Sequence, residues 1–125
     1  MRNLSLCVVS AWLLVSIQVD AHHNGYVCVA RGKSVTVEGE IEAFQFSDPH
    51  VVLMIRTDDS TVVTAEWMTM FQLSNGWGIT KEILRPGDRV VVRGSPYACE
   101  ENKISLIAAV RRLDDGWSWS SPLYE

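Results

Sequence analysis

The run Val35-Thr36-Val37-Glu38-Gly39-Glu40-Ile41-Glu42-Ala43-Phe44-Gln45-Phe46 alternates apolar and polar side chains as far as Ala43 and then changes phase. Val35, Val37, Ile41 and Ala43 fall on one side, with Thr36, Glu38, Glu40 and Glu42 on the other, which is the period-two pattern of a strand with one wet face. The three glutamates read as that solvated face. After Ala43 the apolar phase jumps to Phe44 and Phe46, so the strand bends or bulges, with Gly39 helping, and serves two sheet faces in turn. A long barrel strand behaves in this way.

Working outward, Ser47-Asp48-Pro49 is a turn, Val51–Arg56 a second strand, Thr57–Ser60 a polar hairpin turn and Thr61–Met68 a third strand. The β pattern lapses between Thr69 and Leu84. Within that gap, Thr80 followed by Lys81-Glu82-Ile83-Leu84 predicts a short capped helix stopped by Arg85-Pro86-Gly87. Arg89–Gly94 is the fourth strand and Ser95–Asn102 a polar loop; Lys103–Leu113 is the fifth, with Ile104, Leu106, Ala108 and Val110 on one face. The order β-β-β-α-β-β with a bent first strand predicts a mainly β fold over residues 34–113, a five-stranded OB-like barrel with one short helix between strands three and four. A small sandwich is the runner-up. Residues 114–125 form a Ser- and Trp-rich tail that reads as loosely held, and Trp117 and Trp119 suit either an extra edge strand or an exposed patch.

The chain has 125 residues, 47% apolar and 21% charged, which allows a real core and excludes two ordinary domains. A net charge of −4 offers no general attraction for phosphate backbones, so nucleic acid is a poor default partner. Residues 1–21 read as a signal peptide. Arg2 supplies the basic head, Leu4–Ile17 is an apolar run too short to span a bilayer comfortably, and Val19 and Ala21 are the small residues a signal peptidase accepts before His22. The expected product is periplasmic or secreted, with residues 22–33 as an N-terminal arm and no membrane span once the signal is gone. Its loss removes Cys7 and leaves the even pair Cys28 and Cys99 in a compartment where disulfides persist.

Several motifs together resemble a known family: Ala21-His22-His23 at the mature start, the strand ending in Phe46, Asp48-Pro49-His50, Glu66-Trp67, and Leu84-Arg85-Pro86-Gly87-Asp88 followed by Val90, Val92 and Gly94. The family is a group of small exported bacterial proteins, the domain of unknown function six-one-five-two. The resemblance covers the mature chain up to Gly116 and implies an OB-like exported domain with no established activity. Asp48 stands where the family usually has Asn, and Asn24-Gly25 where it has Ser and Phe. The cysteine pair is not part of that pattern. In an OB order the first and fourth strands are antiparallel neighbours, so Cys28 before one and Cys99 after the other emerge at the same end, and a bridge is geometrically reasonable. Two separate buried thiols are the alternative.

Candidate ligand contacts are few. Trp67 and Trp77 suit an aromatic platform of the kind OB-folds use, or a plug for the barrel end. His22, with its free amine after cleavage, and His23 offer nitrogen donors of the kind Cu(II) favours, or else form a frayed polar arm. His50 would complete such a site only if the arm stretched along the barrel, since six residues reach roughly 20 Å, or else it fixes the turn after Pro49. Enzyme signatures are largely absent: the chain has no Gly-x-Ser-x-Gly elbow, phosphate-binding glycine loop, CxxC or His-Glu-x-x-His motif. The sequence therefore reads as a non-catalytic exported module, without a cofactor, that binds a small molecule, glycan or protein partner. The competing reading is a copper-binding protein or copper-dependent oxidase using the histidine arm. Export predicts an intact mass for the recovered protein that starts at His22, and the copper reading predicts Cu(II) binding that a His22→Ala, His23→Ala double variant abolishes.

Overall fold

The structure, a computed structural model, describes residues 28–30 and 32–122; the leader, His22, His23 and the last three residues lie outside them. Six strands and one helix run in the order β1 (Val35–Gln45), β2 (Val52–Arg56), β3 (Val62–Glu66), α1 (Met70–Trp77), β4 (Arg89–Pro96), β5 (Lys103–Arg112) and β6 (Ser118–Ser120). The sheet order is β3-β2-β1-β4-β5-β6, and a parallel pairing of β3 with β5 closes the first five strands into the OB-like barrel.

Closure rests on β1. Its first half, Val35–Glu40, pairs antiparallel with β4, and its second half, Glu40–Gln45, pairs with β2. Glu40 is the handover, opposite both Arg89 and Arg56. The register then skips Glu42 between Ile41 and Ala43, a bulge that accounts for the change of apolar phase. Glu38, Glu40 and Glu42 all face solvent, Glu42 paired with Arg56 and Glu38 with Arg89. At the bend the neighbouring strand comes so close that a Cβ built on Gly39 would overlap the Arg56 carbonyl, with Arg56 C at 2.8 Å and Ile55 Cγ2 at 2.9 Å.

The core fills the barrel from all sides: Ile41, Leu53, Ile55, Ala65, Val90, Val92, Ile104 and Val110 are each at most 1% exposed. In β5 the strict alternation expected from the sequence does not hold. The register with β4 skips Ala108 and again Ser105, and each skip moves the inward phase by one residue. Ile107 is therefore buried and Leu106 only partly so.

The helix is displaced from its expected place. It occupies Met70–Trp77, not Thr80–Leu84. Thr69 and Gln72 form the capping box that starts it, and Gly78 at φ 66° ends it. Thr80 begins only a turn, with the Ile83 amide donating to the Thr80 carbonyl, because Pro86 and Gly87 come too soon for a helix to develop. That turn docks on β1: the Gly87 amide donates to the Ile41 carbonyl at 2.8 Å and the Ile41 amide to the Asp88 carbonyl at 2.9 Å.

The tail is not loose over its described length. β6 pairs with β5 through Ser118–Ser120 and buries Trp119 to 7% exposure. Arg112 pins this return. Its guanidinium donates to both carboxylate oxygens of Asp115, at 2.9 and 2.7 Å, lies near the Asp88 carboxylate at 3.6 Å, and sits over the Trp117 ring at 5.7 Å. At the opposite end, Cys28 and Cys99 form a disulfide with a Cα–Cα distance of 5.3 Å, next to a β-bridge between Val29 and Tyr97. The disulfide spans a sequence separation of 71 residues. In the chain-entropy picture a loop of that size contributes about 4 kcal/mol.

Gly39→Val is expected to destabilise the domain by about 1–3 kcal/mol in chemical denaturation, through overpacking against Arg56. A second expectation concerns pH. The bond from Arg112, together with the Trp117 amide, holds the Asp115 carboxyl down from 3.8 to about 2. A depressed carboxylate stabilises the fold above its unfolded pKa and loses that contribution as pH falls through the folded value. The Tm deficit of Asp115→Asn is therefore expected to be present at neutral pH and to vanish as pH falls from about 4 towards 2, as monitored by thermal melts.

Candidate functional site

The most exposed apolar side chains in the described residues gather on one element. α1 carries Phe71 at 70% exposure, Trp77 at 41% and Met70 at 36%, while its Leu73 is fully buried and seats the helix across the barrel end. Met70, Leu73 and Trp77 share a stripe at i, i+3 and i+7, and Phe71 lies off it towards solvent. The Asp48 carboxylate accepts from the Met70 amide at 3.0 Å, tying the β1–β2 turn to the start of the helix. A carboxylate at that end also suits the helix dipole.

Behind the helix three indole rings stand in series. Trp77 meets Trp119 edge to face at 5.5 Å between centroids, and Trp119 meets Trp67 in the same manner at 4.9 Å. Edge-to-face contacts of this kind add about 1 kcal/mol each beyond area burial. Trp67 is 1% exposed, so it belongs to the core and plugs the barrel; of the expected Trp67 and Trp77 platform only Trp77 reaches solvent. The indole N–H groups of Trp67 and Trp119 are buried and meet no acceptor among the described residues.

His50 is exposed, just before Val51, at the end of β1 away from the disulfide. The fold uses Asp48, not His50, to tie this turn to the helix. His22 and His23 lie outside the described residues. Among the described residues no group of three His, Cys, Asp or Glu side chains converges on a point that could hold a metal ion. Chemically, this corner offers an apolar, aromatic contact surface. It brings together no nucleophile and base.

Sequence reading does not mark Met70, Phe71, Asp48 or Arg112 as contributors to a site, and of its two options for Trp119 the structure takes the extra edge strand. The Thr69-x-x-Gln72 spacing is the available signal for the first two, because it starts a helix whose outward positions they occupy. Trp119 and Arg112 carry no local signal, since their partners are distant in sequence.

At the β3–β5 seam the Lys103 ammonium pairs with Glu66 at 3.1 Å and lies over the Tyr97 ring at 4.6 Å. Burial works against that charge, yet Glu66 and Glu100 outweigh it and leave the Lys103 pKa raised. No described helix is long and apolar enough to cross a membrane.

Comparison with known proteins agrees with this architecture. A chain in the crystal structure of the S. pombe Stn1-Ten1 complex superposes with a TM-score of 0.51 at 16% identity, over 66% of this chain and 59% of that one. The match thus spans under two thirds of the neighbour's length, and at this identity the likeness concerns the fold alone. No curated protein matches the chain. A family model described as a family of unknown function, DUF6152, matches residues 11–104, three quarters of the sequence, through β4 and the start of β5. The chain belongs to that family.

Proposed function

We propose that this protein is an exported, non-catalytic binding domain whose ligand rests on the aromatic corner formed by α1 and β6. The observation that carries the reading is the half-exposed Trp77 ring, held from behind by Trp119 and Trp67. A ring fixed on a rigid support presents contact area with little ordering cost on binding. Phe71 extends the apolar surface.

Export is supported by the leader-like residues 1–21 and by the Cys28–Cys99 bridge, which suits an oxidising compartment. The ligand classes that fit are a small molecule, a glycan or a protein chain with an apolar face. The S. pombe neighbour is part of a two-protein complex, which supports keeping a protein among them. The net charge of −4 argues against nucleic acid.

A thermal-shift panel of oligosaccharides and metabolites is expected to yield a ligand that raises Tm, with Trp77→Ala weakening its binding by at least tenfold and leaving the unliganded Tm within a few degrees. Undiminished binding by Trp77→Ala would remove the corner from the mechanism, and turnover of the ligand would overturn the non-catalytic assignment.

A further inference from the structure

On the outer wall of the barrel, away from the aromatic corner, two arginines stand close together with no carboxylate bonded to either among the described residues. The register of β1, β4, β5 and β6 places Thr36, Arg93, Ala109 and Ser120 side by side in one row, and Val91, Arg111 and Ser118 in the next. Arg93 and Arg111 are therefore diagonal neighbours on adjacent strands, about 7 Å apart at the backbone. Like charges so placed repel. Among the described residues neither guanidinium meets a carboxylate, although Arg56, Arg89 and Arg112 all do. Glu38, opposite Val91 and so diagonal to Arg93 across the β1–β4 pairing, bonds instead to Arg89 at 3.3 Å.

The two arginines line a groove of about 310 Å³ with the hydroxyls of Thr36, Ser118 and Ser120. Arg93 also lines a second groove of about 220 Å³, which contains Lys33 and the hydroxyls of Ser34 and Ser95. Arg93 lines both grooves, and together they present three cations and five hydroxyls over small side chains. Among the described residues no acidic side chain lines either groove. In a chain of net charge −4, three cations along these grooves with no described carboxylate among them are a local reversal of sign.

We infer that these grooves bind an acidic oligosaccharide, a sugar chain bearing carboxylate or sulfate groups. The guanidinium fork matches such oxyanions in a bidentate manner, and the interspersed serine and threonine hydroxyls match the sugar hydroxyls between them. The two grooves extend beyond the footprint of a single inorganic anion. Among the described residues no aromatic ring opens onto them for bases to stack on: Trp119, in the wall of the first groove, is only 7% exposed.

The inference stands apart from the aromatic corner and is tested separately, by isothermal titration with a hexamer of galacturonate and with a sulfated dextran oligomer. Binding is expected for at least one, weakening steeply with added salt as exposed charge pairs are screened. Arg93→Ala with Arg111→Ala is expected to lower the affinity at least tenfold, whereas Trp77→Ala leaves it unchanged. Both arginine positions are exposed, and an unaltered melting curve verifies that the double variant is folded. Equal affinity for neutral dextran, equal affinity for inorganic sulfate alone, tighter binding of a single-stranded oligonucleotide, or no loss in the double variant would each overturn the inference.

Discussion

A single strand shared between two partners holds this architecture together. β1 gives its first six residues to β4 and its last six to β2, so the sheet can curl only if the chain turns sharply at the handover. Gly39 removes the side chain that would otherwise keep Arg56 away, and the extra residue Glu42 re-aims the second half of the strand. The Gly87–Asp88 turn then clamps the same point from outside through both backbone groups of Ile41. Closure, core filling and the position of the β1–β2 turn under α1 all descend from that bend.

The two ends of the barrel are finished by different means. One is tied covalently, with Cys28 and Cys99 linking the entry of β1 to the exit of β4. The other is closed by packing alone: Leu73 and Trp67 fill it, and Trp119 is carried back over it by the three-residue strand β6. Arg112 makes that return possible, because one guanidinium holds the β5–β6 turn at Asp115 and the β4 approach at Asp88 together. The aromatic surface is thus a by-product of sealing the barrel, which leaves Trp77 half in the plug and half in solvent.

Much of this is legible from residue order. Period-two alternation with a phase break identifies β1 and its bulge, because exposure on one face of a strand leaves a mark in every second residue. The five barrel strands and their order come from that frame, and the structure takes the bridged option for the cysteines. The features that sequence reasoning misplaces are set by events without local period: the bulges at Ser105 and Ala108, and the burial of Trp119 against rings some forty and fifty residues away. The helix is misplaced for a different reason. Thr80 and Thr69 are both acceptable caps, and only Gln72 distinguishes the one that the chain uses. Of the candidate contacts, the sequence marks Trp77 but not the arginine grooves, since Arg93 and Arg111 become neighbours only through strand pairing.

The disulfide encloses nearly every connection in the barrel, including the Thr57–Thr61 hairpin, the loop carrying α1 and the turn at Gly87. A protease that cuts any one of these exposed loops frees no fragment. The severed pieces stay covalently joined and at high local concentration, so a nicked molecule keeps its parts together until a reductant reaches the sulfurs.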